Sequence, residues 1–248
     1  MIANPTNIEP IPGFGEPVSA FTHLAAAGVF ALLAIGMLRR GAGDVLRVIA
    51  LSIFAFAVVF QLAISGTYHL LYPQSAGNLV LLRIDHAAIF FLIAATFTPI
   101  HGILFRRVWR WGVLIFMWTA AVTGIVLKTV YSEQMPISVG AALYVGLGWV
   151  GILSGTLAWR YYGYRFMAPM LYGGIAYTVG VLLEWWMAAA GTEPIQIIPG
   201  VFGGHEFFHM FVIGGIALHW WFIYRVANGR LPPGVIPLSP NAGAAATS

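Results

Sequence analysis

The chain has 248 residues, of which 60% are hydrophobic and only 8% charged, with a mean hydropathy of +0.85. Soluble domains carry about 25% charged residues, and 12 Lys and Arg with 8 Asp and Glu cannot clothe a globule of this size, which excludes a water-soluble monomer. The net charge of +4 comes from scattered groups rather than a clustered basic face, which excludes a nucleic-acid binder, and the absence of cysteine excludes disulfides and thiolate metal sites.

A helix crossing the hydrocarbon needs about 20 apolar residues. The polar start, residues 1–15, has no basic region of the kind that opens a signal peptide. Seven apolar segments follow: Pro17 to Leu38, Val48 to Leu71, Asp85 to Phe105, Trp109 to Val130, Ile137 to Trp159, Met167 to Ala190, and Gly204 to Tyr224. Membrane strands would alternate apolar and polar residues over about 10 positions, and no segment does so. The composition therefore predicts an all-α membrane protein with a single seven-helix domain over 16–227. The Pro, Ala, Gly and Ser-rich tail, 228–248, reads as disordered. Gly173-Gly174 and Gly214-Gly215 read as sites of close helix packing rather than phosphate loops.

Basic residues set the orientation. Arg39, Arg40, Arg47, Arg106, Arg107, Arg110, Arg160, Arg165, Arg225 and Arg230 fall on one side, leaving Arg83 and Lys128 on the other, out of 12 cations. The bias places the N-terminus outside and the C-terminus in the cytoplasm of a multi-pass plasma-membrane protein.

With directions assigned, the polar residues sort by depth at about 1.5 Å per residue. His23 and Glu16 open the first helix on the outer side. Ser65 and His69 end the second, Arg83, Asp85 and His86 begin the third, Glu184 lies late in the sixth, and His205, Glu206 and His209 begin the seventh. Five of the 7 histidines thus share one layer, with only His101 and His219 in the inner half. A charge in hydrocarbon costs at least about 2.5 kcal/mol, so a shared depth points to a site. His205 and His209 lie four apart in G-H-E-F-F-H and project from one helix face, able to present two imidazoles to one ion. Glu206 lies about 100° round the helix and need not face that ion. Ser65 and His69 are likewise four apart, and if helices two and seven are neighbours, His69 supplies a third nitrogen. Three histidines leave one position of a zinc ion open, as in catalytic sites. The competing reading is that a membrane histidine simply bonds across helices. That reading is the favoured one for His23, His86, His101 and His219, the last lying about 15 Å deeper than His209 and too far to share its ion. Glu184, beside Trp185 and Trp186, reads equally as an interfacial anchor or a site residue.

The ordered series Glu16 with His23, S-G-T-Y-H, R-I-D-H-A-A-I with A-T-F-T-P, L-Y-V-G-L-G-W, L-Y-G-G-I-A-Y-T-V-G and G-H-E-F-F-H-M-F-V closely resembles the hemolysin III family. That family belongs with the progestin and adiponectin receptors and, more distantly, the alkaline ceramidases. The resemblance runs from about Glu16 to Tyr224 and implies seven helices around a zinc ion. The family's Ser-x-x-x-His motif maps onto Ser65 and His69, and its His-x-x-x-His pair onto His205 and His209. Its third-helix aspartate, which holds or activates the metal-bound water, maps onto Asp85. Two departures stand out: Glu184, where bacterial relatives are usually apolar, and a long loop from Gly191 to Gly204.

The resemblance implies hydrolysis of a lipid amide or ester, ceramide-like in one version, with a membrane lipid as substrate or ligand. Asp85 would act as general base, and Ser65 would donate a hydrogen bond to the nucleophile or oxyanion. A zinc-stabilised receptor or sensor is the related alternative. The further alternatives are a membrane-lytic pore, which would need polar positions along its full depth where the inner half offers little beyond His101 and His219, and a haem-binding electron carrier, for which paired histidines in both halves are missing but a single haem is allowed.

Overall fold

A computed structural model describes residues 15–131, 134–190, 196–198 and 201–231. Among the described residues eight helices, α1 (Pro17–Gly41), α2 (Val45–Leu70), α3 (Ala76–Leu104), α4 (Arg107–Val130), α5 (Ile137–Trp149), α6 (Gly151–Tyr162), α7 (Tyr164–Ala190) and α8 (Gly204–Val226), are accompanied before α8 by a paired β1 (Gln196–Ile198) and β2 (Phe202–Gly203). α5 and α6 meet at Val150, whose φ of −53° and ψ of −30° are themselves helical, so the two make one span. The described helices therefore give 7 candidate membrane spans, as the composition predicts. This is a multi-pass membrane protein.

The elements start and stop for local reasons. Pro17 begins α1, where its missing N–H is one of those the first turn leaves unbonded in any case. Asp44 caps α2 by accepting from Arg47 N at 3.0 Å, and Ser75 caps α3 by accepting from Asn78 N at 3.2 Å. Gly163, at φ 84°, turns α6 sharply into α7 through a conformation that a side chain would disfavour. The third span starts nine residues earlier than the expected Asp85, at Ala76: Asn78 and Arg83 hide its first turns from a hydropathy reading.

Consecutive helices from α1 to α4 pack side by side, α7 lies along α8, and α8 closes on α1. α3 is the most buried span, with α2 next. One apolar core joins Phe30 of α1, Leu51, Phe54 and Leu62 of α2, and Trp220, Phe222 and Ile223 of α8; a second, with Phe90, Phe97, Met117 and Ala121, lies between α3 and α4. Large apolar side chains such as Leu32, Val108 and Ile115 face outward, as lipid contact requires. Gly173 and Gly215 mark the close α7–α8 approach: a Cβ on Gly173 would strike the His219 ring, and one on Gly215 would lie 2.8 Å from the Tyr177 ring. Gly174 and Gly214 have open space beside them, so only one glycine of each pair serves packing.

The two ends of the bundle differ in chemistry. At one end Arg40 lies over the Tyr224 ring at 5.0 Å, and Arg47 Nε donates to the Gly41 carbonyl at 3.1 Å. At the other end the start of α1, the end of α2, the starts of α3 and α8, and the last turns of α7 bring most of the buried acidic and imidazole groups together. Of the expected flanking segments 1–15 and 228–248, residues 1–14 and 232–248 lie outside the described residues, as does most of the long loop before α8.

Candidate metal centre

The end of α2 is tied to the start of α1 by main-chain bonds, Glu16 N to His69 O at 2.8 Å and Gly15 N to Leu70 O at 3.2 Å. The tie works because Gly66 has no side chain: a Cβ there would lie 2.7 Å from Leu24 Cγ and 3.0 Å from the Ala20 carbonyl oxygen. The two backbones can therefore run close together, which fixes the height of His69 against Glu16. From α8, His205 and His209 reach toward the same point, their four-residue spacing placing both on one face. α2 and α8 are not close neighbours along their lengths; α1 packs against both, and the long imidazoles bridge the remaining distance. The ring centroids of His69 lie 5.0 Å from His205 and 4.6 Å from His209. One ligating atom from each of His69, His205 and His209 falls within 4.8 Å of the others, so the three form a cluster able to hold a metal ion.

The remaining ring nitrogens are engaged by the protein. His69 Nδ1 lies 2.5 Å from Glu16 Oε2, and His205 Nδ1 lies 3.2 Å from both oxygens of Glu184. His209 donates to the Ser19 carbonyl. By contrast, His205 Nε2 and His209 Nδ1 are buried and have no hydrogen-bond partner among the described residues. An orphaned buried polar atom costs about 1–3 kcal/mol, and coordination to an ion relieves that cost. The donor set fits: neutral imidazoles suit zinc, copper, iron or nickel.

Asp85 and Ser65 stand beside the cluster. Asp85 Oδ1 accepts from Gln61 Nε2 at 2.9 Å, and the Ser65 hydroxyl hydrogen-bonds the same carboxylate. Ser65 is therefore engaged across the α2–α3 interface. Gln61, Ser65 and His69 recur at four-residue intervals along one face of α2, which joins the aspartate to the imidazoles. Gln61 was not singled out by the sequence, although this spacing was there to be read.

Other polar residues of the layer surround the cluster. Glu206 accepts from Ser19 Oγ at 2.9 Å and from Gly203 N at 2.8 Å, capping α8 and tying it to α1. His23 lies flat against His209, with centroids 4.0 Å apart and planes at 15°. The His86 main-chain carbonyl accepts from Tyr144 OH at 3.2 Å. In the inner half, His101 bonds the Trp109 carbonyl at 2.6 Å and Ser154 Oγ at 3.2 Å, between the rings of Phe97 and Phe105. His219 donates to the Met170 carbonyl at 3.2 Å. Both inner histidines are cross-helix packing groups.

Fold and site together define a seven-span membrane protein with a buried three-histidine cluster near one end of its bundle. Its sequence from 14 to 220 matches the model of the family described as haemolysin-III related, and the chain belongs to that family. It is 27% identical over 209 residues to Hemolysin-3 of Bacillus cereus, an alignment covering 82% of this chain and 87% of the relative. It is 26% identical over 208 residues to a Hemolysin-3 homolog of Bacillus subtilis (strain 168), covering 82% and 89%.

Proposed function

We propose that the protein is a zinc-dependent hydrolase of the amide or ester bond of a bilayer lipid, ceramide-like in type. The observation that carries this reading is a buried carboxylate, Asp85, held by Gln61 and Ser65 beside three imidazoles that have two orphaned nitrogens between them. His69, His205 and His209 would hold the ion, which when bound supplies Lewis acidity at an acyl carbonyl and toward water. Asp85 takes a proton from the attacking water as its oxygen bonds to the acyl carbon, acting as general base. Ser65 gives its single O–H to Asp85 and so positions the base beside the nucleophile. The carbon–nitrogen or carbon–oxygen bond then breaks, and Asp85 returns its proton to the leaving amine or alcohol. The products are a carboxylic acid and an amine or an alcohol. Gln61 holds Asp85 in line through its 2.9 Å bond. The apolar core beneath the cluster, including Leu62 and Val58, keeps bulk water to one side.

In this reading the membrane domain runs over 16–227 between flanking segments 1–15 and 228–248. The bias of the basic residues supports an external N-terminus, a cytoplasmic C-terminus and a site in the outer layer. The test is release of free fatty acid from a panel of lipid amides and esters by zinc-loaded protein in detergent micelles. Release abolished by a chelator and restored by zinc is expected. Loaded protein that releases no acid from either class overturns the hydrolase reading.

A further inference from the structure

We infer that Glu16 and Glu184 are positioning residues of the metal centre, each fixing the tautomer and ring orientation of one ligand histidine. The inference rests on the zinc-site reading above and extends it to the groups behind the ligands. Glu16 comes from the cap position of α1 and Glu184 from the last turns of α7, whereas the histidines they hold lie on α2 and α8. Each carboxylate meets Nδ1, at 2.5 Å for His69 and 3.2 Å for His205. An ionised carboxylate only accepts, so it forces the proton onto Nδ1 and leaves Nε2 with the lone pair that ligates. His205 Nε2 is the buried nitrogen that has no hydrogen-bond partner.

The carboxylates also act through charge. A divalent cation among three neutral imidazoles carries two positive charges, of which Asp85 offsets only one. Glu16 stands behind His69 and Glu184 behind His205, each at Nδ1, while Glu16 Oε2 is also 3.9 Å from His205 Nε2. Two ionised carboxylates balance the ion without occupying its open position. The histidine–carboxylate pairs also bind α1 to α2 and α7 to α8, so an ion held by α2 and α8 fastens four helices at one end.

Glu206 provides the control. It lies in the same layer and is buried, but its oxygens are bonded to Ser19 Oγ and Gly203 N rather than to a histidine. If negative charge at that depth were all that mattered, its loss would resemble that of Glu16 and Glu184.

The experiment is zinc affinity of detergent-purified full-length wild type, Glu16→Gln, Glu184→Gln and Glu206→Gln, by competition against a chromophoric chelator. Cobalt(II) spectra of the same proteins report ligand geometry. Loss of a partner behind a ligand histidine costs about 10–100-fold in metal affinity. That weakening is expected for Glu16→Gln and for Glu184→Gln, with a shifted or broadened cobalt band. Glu206→Gln should stay within a few-fold of wild type in affinity while melting at a lower temperature. Affinities within twofold of wild type in both histidine-partner variants overturn the inference, as does an equal loss in all three variants. Should Glu16→Gln fail to fold, Glu184→Gln on a different helix carries the same test. Wild type that takes up no zinc or cobalt refutes the metal site itself, a result distinct from an unchanged affinity in the variants.

Discussion

Asp85→Asn separates chemistry from binding. The substitution preserves shape: the asparagine oxygen can still accept from Gln61 Nε2, which donates to Asp85 Oδ1 at 2.9 Å. The new amide N–H can point to the Ser65 oxygen, which accepts as well as donates. Because the partners are retained, the stability cost should stay near 1 kcal/mol. Asp85 is not one of the three residues whose ligating atoms converge within 4.8 Å, so the variant should keep its ion. What it loses is the ability to take a proton. General-base catalysis contributes about 10²–10⁴-fold, or about 2.7–5.4 kcal/mol at 1.36 kcal/mol per decade. The expected result is kcat reduced by that factor with KM nearly unchanged and metal content equal to wild type. The assay is initial-rate hydrolysis of a fluorescent lipid amide in mixed micelles, with metal measured on the same preparation. An Asp85→Asn protein that turns over at the wild-type rate refutes the general-base role.

Acidification should release the ion, because each imidazole must be neutral to ligate and protons compete for it. Metal is held above the ordinary imidazole range near 6.5 and lost as pH falls below it, more steeply than one proton per ion; equilibrium dialysis across that range reads this directly. Gly66→Leu should lower the melting temperature by the equivalent of about 1–3 kcal/mol or more, as overpacking does, because its side chain would meet Leu24 and the Ala20 carbonyl. The same variant should weaken metal binding by moving Glu16 off His69, and unchanged melting and affinity would show that the α1–α2 approach does not set the site. A reporter fused after Ser248 should behave as cytoplasmic, and an external signal would reverse the side assigned to the histidine layer.

The spans and the histidine layer were legible because both follow from one-dimensional rules. Hydropathy marks a helix of membrane length, and residue number converts to depth, which is why His69, His205 and His209 were grouped correctly from far apart in the chain. Polar helix ends were less legible: α3 begins at Ala76 because Ser75 caps it, and Asn78 and Arg83 dilute the apolar signal there. The lateral arrangement of helices was hidden. Depth places Glu16 and Glu184 in the layer but does not say which histidine each meets, since that depends on α1 lying against α2 and α7 against α8. His69 meets His205 and His209 although the second and seventh spans are not close neighbours along their backbones, so the condition set on the sequence is met by the imidazoles alone. The pairing of β1 with β2 had no alternating pattern to announce it.

The most direct measurement is elemental mass spectrometry of detergent-purified wild type and His69→Ala. About one zinc per chain in wild type, as one three-histidine site predicts, and none in His69→Ala would establish that α2 and α8 share an ion. No metal in wild type, or the same metal content in the His69→Ala protein, would contradict the three-histidine centre and the hydrolase chemistry built on it.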